Sequence, residues 1–388
     1  MIFVHFLSEF LFSTRQSKRS ICLHLHPIFN IMSTVKFNNK DAIFFPELKQ
    51  RINQYFEQNK IKPTGNLKLY SKTIILFTIL IALYIILVFF TPENGWLSLF
   101  LASLLGLVMA SIGFNVMHDG AHGSYSSHKW VNESMAHSLN LLGGVSFIWK
   151  QKHNINHHSY TNVEGMDDDI DIKPFIRVHE GQKKYWFHRY QHIYGLLLYG
   201  ITYFFWVFYN DFNKYFSGKI AEHTHMQKMS VWDHVIFWAT KIFYVLVFLV
   251  FPIYNVGLID TILAYGLMVA VTGITIAVVF QLAHVVEDMP FVSPEGDVMK
   301  IESEWAVHQL QTTTNFATKN KFISWLLGGL NFQVEHHLFP RISHIHYPSI
   351  SKIVRQTCLE YNVQYKEFRT MRGALASHIL HLRQMGRK

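Results

Sequence analysis

The sequence predicts an all-α integral membrane protein, with four transmembrane helices in two hairpins, interfacial helices beside them and a histidine-rich cytoplasmic cap. Three observations carry this. Half of the 388 residues are hydrophobic and only 16% are charged, against about 25% in soluble domains. Four stretches are apolar over the roughly 20 residues that cross a bilayer. The chain also holds 24 histidines, many of them gathered at the ends of those stretches. The same composition excludes intrinsic disorder. Two cysteines, Cys22 and Cys358, exclude a disulfide scaffold and a thiolate metal site. The net charge of +9, from 35 Lys and Arg against 26 Asp and Glu, suits the cytoplasmic face of a membrane protein and gives no reason to expect nucleic acid as a partner.

Taken in order, residues 1–31 open on an apolar run followed by Arg15, Lys18 and Arg19. A secretory signal has its charge first and a longer run. Translation is therefore expected to start at Met32, with 1–31 as an upstream leader, and His5, His24 and His26 are set aside with it. Residues 32–72 form an N-terminal cytoplasmic segment. Stretches 73–91 and 97–117 carry no ionisable side chain and are joined by Pro92-Glu93-Asn94-Gly95-Trp96, which makes the first hairpin. Stretch 134–149 is apolar but short, with Gly143-Gly144 inside. Stretch 193–209 is uncharged and at the lower length limit. Its Tyr194, Tyr199, Tyr203, Trp206 and Tyr209 suggest a helix lying in the headgroup layer. Stretches 235–254 and 261–283 make the second hairpin, with Lys241 snorkelling to one end. A main domain over 73–365 and a basic tail over 366–388 complete the chain.

Sidedness follows from charge. The hairpin turns carry Glu93 and Asp260 but no Lys or Arg, and every basic residue except Lys241 lies outside the hairpins. The positive-inside rule then puts both termini and the 118–234 loop in the cytoplasm. A fifth span at 193–209 would place the last third of the chain on the opposite face, away from the rest of the histidines.

Three histidine clusters border the spans: His118-Asp119-Gly120-Ala121-His122, His153-Asn154-Ile155-Asn156-His157-His158 and Gln333-Val334-Glu335-His336-His337. In the first two, a pair spaced i,i+4 falls on one helical face and can share one metal. His158 points about 100° away from His157 and can reach a second ion. A lone HxxxH arises by chance; three such clusters at one membrane boundary do not. His284, ending the uncharged 261–283 run, should face the bundle or a site. His308, His344 and His346 read as structural or supporting. Asp119, Asp167, Asp168, Asp169, Asp171 and Glu335 can accept the other ring N–H of a ligand and fix its tautomer, with a solvated loop as the alternative for the Asp run. Imidazole suits Zn, Cu, Fe and Ni. A structural zinc takes four ligands, so this set exceeds one site, and two ions at a membrane surface suggest iron and O2 chemistry on a lipid.

HDGAH, HNINHH and QVEHHLFP together resemble the three histidine boxes of integral-membrane fatty acid desaturases. Gln333, where many of these have histidine, is similar to the front-end group, which inserts a double bond between an existing one and the carboxyl end. The stretches 280–284, 304–309, 312–316 and 344–348 resemble those of bacterial and cyanobacterial delta-6 acyl-lipid (linoleoyl) desaturases, and the likeness runs from about Val35 to near the C-terminus. It implies two non-haem iron ions held by His118, His122, His153, His157, His158, His284, His336 and His337, with Asp119, Gln333 and Glu335 in support and O2 as co-substrate. It also implies an acyl-lipid or acyl-CoA substrate and a bacterial inner-membrane location. The segment from Met32 to the first span is too short for the fused cytochrome b5 domain of many eukaryotic relatives, so electrons are expected from ferredoxin or free cytochrome b5. Lys150, Lys152 and Arg341 are candidates to meet a headgroup or an acidic donor. A di-iron lipid hydroxylase is the nearest alternative. A zinc hydrolase or His-rich transporter is a further one, although a transporter would place its ligands mid-membrane.

Overall fold

In hydrocarbon every backbone polar group has to be satisfied within its own segment, and the apolar runs accordingly form long helices. The computed structural model describes residues 36–40, 42–169, 172–222, 224–292, 300–301 and 303–388. The 1–31 leader, Met32 and Asp171 lie outside the described residues.

Helix α1 (Phe44–Gln58) buries Phe44, Leu48, Ile52 and Phe56, one residue per turn. Asn66 caps α2 (Leu67–Phe89), its side-chain oxygen accepting from the Lys68 N–H. Asn94 caps α3 (Gly95–Ile112) in the same way, through the N–H groups of Trp96 and Leu97, so the turn-rich 92–96 segment is also a start signal. A π-helical turn, Gly113–Met117, leads from α3 into the short α4 (His118–His122), and α5 spans Lys129–Ala136. Helix α6 (Gln191–Phe205) is the middle of a longer helical run, Trp186–Ser217. Helix α7 (Val231–Val245) opens on a Ser230–Asp233 capping box and continues to Val256. Then come α8 (Leu258–His284), α9 (Trp305–Gln311), α10 (Gln333–Leu338), α11 (Tyr347–Glu360) and α12 (Met371–Arg387). The strands described are two or three residues long and pair as three separate two-stranded ladders.

Helix α8 packs most extensively against α3 and α6. At its crossing with α6, a Cβ on Gly273 would lie 2.5 Å from the Tyr199 carbonyl oxygen, so only glycine permits that approach. Leu76, Leu83, Leu105, Met109, Tyr203, Tyr244 and Met268 form the core of this bundle. A second core, from α1, α9, α10 and α11, lies under the third histidine cluster. The outward faces are apolar: Ile74, Ile75, Ile81 and Phe89 are exposed along α2, and Trp96 and Tyr254 are more than 80% exposed at the hairpin ends. Aromatics at that level are what a membrane interface selects.

Among the described residues, five helices are long and apolar enough to cross a membrane: Leu67–Phe89, Gly95–His122, Trp186–Ser217, Val231–Val256 and Leu258–His284. The sequence anticipates four of these as spans and reads the third as interfacial. Its tyrosines do not all behave as interfacial tyrosines. Tyr199 and Tyr203 are buried, donating to His378 Nε2 (2.8 Å) and to the Leu142 carbonyl, because they line the packing face against α8 and α7. Each end of the run is fastened to the segment before it. The His188 ring donates to the Pro174 carbonyl (2.7 Å), and Lys214 pairs with Asp168 (2.6 Å).

Lys241 also departs from expectation. It does not snorkel to the surface. Its ammonium donates to Asp211 (2.7 Å) and to the carbonyls of Gly143 (2.7 Å) and Val207 (2.8 Å). Asp211 accepts in addition from the Val145 N–H and the Trp206 indole. All three ammonium hydrogens are used, so the pair ties α7 to the Trp186–Ser217 run and the 143–145 loop. Removing one partner of a buried pair leaves an uncompensated charge, at about 3–5 kcal/mol. Asp211→Ala and Lys241→Met should each lower the thermal unfolding temperature in detergent sharply, and the double variant Asp211→Leu/Lys241→Met should recover most of the loss.

Candidate metal centre

Four segments bring histidines to one place. His118 and His122 occupy one face of α4, with ring centroids 4.7 Å apart. Between them, Gly120 lets α4 press on α5: a Cβ there would lie 2.6 Å from the Ala136 nitrogen. His153, His157 and His158 come from Gln151–His157, which is π-helical, and the residue after it. His284 is the last residue of α8, and His336 and His337 lie in α10. All eight are buried.

The ring nitrogens fall into two groups. One nitrogen each from His118, His122, His153 and His336 lie within 4.8 Å of one another, and so do one each from His157, His284 and His337. His153, His157 and Asp169 make a third, overlapping set. His158 sits between the two groups, its Nε2 3.3 Å from His153 Nε2 and its ring 4.5 Å from that of His336 and 4.6 Å from that of His337. The i,i+4 pair His153/His157 thus falls together in the third set and apart in the first two. The π-helical i→i+5 pattern changes the angular offset along the segment, so His153 faces the first group and His157 the second.

The far nitrogens are held by oxygen. His153 Nδ1 is 2.8 Å from Asp169, His157 Nδ1 is 3.0 Å from Asp167, and His284 Nδ1 is 3.0 Å from the Thr312 carbonyl. His336 Nδ1 lies 3.2 Å from the Tyr347 hydroxyl, and His337 Nδ1 lies 2.8 Å from Gln309 Oε1. A carboxylate or carbonyl at Nδ1 keeps the proton there and leaves the Nε2 lone pair facing inward. Nε2 of His118, His122, His157, His284, His336 and His337, and Nδ1 of His158, are buried with no hydrogen-bond partner. Buried polar atoms are rarely left so, and a convergent set of them is the donor array a metal fills. Imidazole without thiolate suits iron, zinc, copper or nickel.

Electrostatics favour the neutral, ligating form at most of these rings. Burial, reinforced by neighbouring imidazoles, holds His158, His336 and His337 well below the ordinary histidine value, so they are neutral. Burial acts the same way on His157, but the Asp167 carboxylate outweighs it and raises that ring. Burial opposes ionisation of Asp169, yet Lys152 and His153 hold its carboxyl well below the usual range.

The supporting residues are partly those anticipated. Asp167 and Asp169 do orient rings. Asp168 pairs instead with Lys214, and Asp119 accepts from Ser343 (2.6 Å) and lies 3.0 Å from His344 Nδ1, off the line of a hydrogen bond. The reason is positional: Asp119 follows His118 by one residue and so points about 100° away from it around α4. Glu335 likewise faces away from the rings, accepting from Asn315 and the Tyr365 hydroxyl (2.8 Å each), and burial pushes it up to about 7. Gln333 is buried at the start of α10. His308 bonds the Thr161 carbonyl and His346 the Thr64 carbonyl, both structural placements. Lys150 pairs with Glu133 and Lys152 with Asp169, while Arg341 is exposed. Gln309, Thr312 and Tyr347 carry roles that residue spacing did not reveal, though each falls in a stretch whose resemblance was already apparent.

Beside the first group lies a cavity of about 730 Å³. Its walls are Met109, Leu142, Leu198, Ile201, Ile276 and Ala277 among others, from α3, α6 and α8. His118, Trp149 and Gln281 also line it, as do the polar side chains of Asp168, Lys173, Asn213 and Lys214.

The fatty acid desaturase family model matches residues 94–369. An acyl-lipid (8-3)-desaturase of Physcomitrium patens is 40% identical over 88% of this chain and 72% of its own length. Two sn-1 linoleoyl-lipid 6-desaturases, of Arthrospira platensis and a Synechocystis strain, are 36% and 35% identical, over 89% and 91% of this chain and 93% and 98% of theirs.

The two orienting carboxylates can be separated from their neighbour. Asp167→Asn and Asp169→Asn should each weaken metal binding by about 10–100-fold, the cost of losing an outer hydrogen bond, in a competition titration against a chelator. Asp168→Asn, which bonds no ring, should stay within about twofold of the parent.

Proposed function

This chain belongs to the fatty acid desaturase family, and from that premise we propose that it is a front-end membrane enzyme of the delta-6 type, placing a cis double bond between an existing one and the carboxyl end of a lipid-bound acyl chain. The observation that carries the reading is the apolar cavity with His118 at its wall, beside two groups of buried imidazoles. The names of the relatives, acyl-lipid and linoleoyl-lipid desaturases, support the lipid carrier.

Under this reading His118, His122, His153 and His336 hold one iron and His157, His284 and His337 the other, with His158 between them. Two iron ions bound there supply the oxidising power that, with O2 and two electrons, removes two hydrogens from adjacent methylenes. Asp167, Asp169, Gln309, the Thr312 carbonyl and Tyr347 keep the rings aimed, while burial holds His158, His336 and His337 neutral. The apolar walls exclude water and hold the chain at fixed depth. Since one methylene is worth only about 0.8 kcal/mol of burial, position is set by contact with the polar and apolar lining, not by burial alone.

Four helices span the bilayer in this proposal. The Trp186–Ser217 run enters and leaves on the histidine side, which its fastening to Pro174 and Asp168 supports. Both termini and the centre then face the cytoplasm, consistent with the sided basic residues, in a bacterial inner membrane. Electrons come from a separate donor, ferredoxin or cytochrome b5.

Expression in a host fed defined fatty acids, with double bonds located by mass spectrometry, tests this. One new cis alkene on the carboxyl side of an existing one is expected; a hydroxy acid without an alkene would contradict it. Ala277→Leu, which narrows the cavity, should reduce conversion of the longest accepted chain roughly tenfold relative to shorter ones, the scale of a one-methylene misfit.

A further inference from the structure

We propose that His378, on the C-terminal helix α12, is a positioning residue that fixes His284 and through it the second histidine group. The inference rests on the metal reading above, but on observations outside that site.

His284 ends α8, and Val285 leaves helical geometry (φ −126°, ψ 70°). A ligand at a helix terminus is held only as firmly as the terminus itself, where the last carbonyls have no partner within the helix. The last two of these carbonyls are met from elsewhere. The Ala283 oxygen accepts from the Thr314 N–H (2.9 Å) and the His284 oxygen from Asn162 Nδ2 (3.0 Å). The next oxygen, that of Val285, accepts from His378 Nδ1 at 2.6 Å. Because Nδ1 donates, Nε2 is the acceptor, and it receives the Tyr199 hydroxyl at 2.8 Å. One imidazole therefore joins the end of α8 to α6, two of the three helices that wall the cavity.

The ring suits a fixed strut. Burial, opposed in part by the Val285 carbonyl, pushes it down to about 4, so it is neutral and its bonding pattern does not change near neutral pH. Helix α12 is itself anchored on both sides. Ser377 accepts from the Glu287 N–H (3.1 Å), and Gln384 donates to Glu287 (2.9 Å). His381 donates to the Val178 carbonyl (2.7 Å), and the Leu382 carbonyl accepts from Gln191 (2.7 Å). Residues 371–387 thus brace two walls of the cavity. A ligand array works only when held to within about 0.5 Å by such outer contacts.

The test is the rate at which a chelator removes iron from folded, purified full-length protein, read alongside kcat and KM. His378→Ala should release about half of the bound iron at least about tenfold faster than the parent, the scale of losing an outer contact. His378→Asn, whose amide can still donate to the Val285 carbonyl, should restore most of the parent rate. A residue that only fills the core would lower the yield of folded protein without changing iron release per folded chain. Should His378→Ala fail to fold, Tyr199→Phe removes a single hydroxyl and should still speed release of the same half of the iron. Parent-like release from the folded variants overturns the inference and leaves the desaturase reading intact; a parent protein that binds no iron overturns both.

Discussion

The rest of the structure depends on keeping a set of imidazoles buried, neutral and aimed at one another with no hydrogen-bond partner of their own. A buried, unpaired polar group costs about 1–3 kcal/mol, and seven such nitrogens occur here. That is a large demand against a folding stability of about 5–15 kcal/mol. It is met in two ways. The opposite ring nitrogens are paired with oxygen at four of these positions, and the unpaired nitrogens are arranged so that an ion can satisfy several at once. Metal binding and folding are coupled in such a site.

The helical frame follows from that demand. The histidines arrive from segments far apart in sequence, so the topology has to return each of them to the same side. Helix α4 continues α3, and His284 closes α8, so two long helices deliver ligands at their ends. The Trp186–Ser217 run bonds Pro174 through His188 and Asp168 through Lys214, and histidines of all three clusters meet in the fold. Between these helices the cavity is lined by apolar side chains of α3, α6 and α8 together with some polar ones. The buried Lys241–Asp211 pair and the His378 strut both tie the Trp186–Ser217 run to a neighbouring helix, the first to α7 and the second to α8.

Much of this was legible in the residues. The uncharged runs mark the long helices because hydrocarbon admits no other solution, and Asn66 and Asn94 mark two helix starts. The eight histidines stand out because their residue type and spacing have few other uses at a membrane boundary. What spacing alone did not reveal has physical causes. The π-helical turn that sends His153 and His157 to different groups is set by packing and has no sequence period of its own. Tyr199 and Tyr203 are a residue type suited to headgroups, yet the glycine crossing with α8 brings Tyr199 inward and Tyr203 packs on Tyr244 of α7. Lys241 looked like a snorkelling residue because its partner, Asp211, is thirty positions away. Asp119 and Glu335 are adjacent to ligands in sequence, and that adjacency turns them away from the metal side. Gln309, Thr312 and Tyr347 act by reaching across the fold, which no local pattern records.

The most direct test of the account is an anomalous-difference map measured at the iron edge on the iron-loaded protein. Two peaks are predicted, one enclosed by His118, His122, His153 and His336 and the other by His157, His284 and His337. A single peak, or one centred on His153, His157 and Asp169, would contradict it.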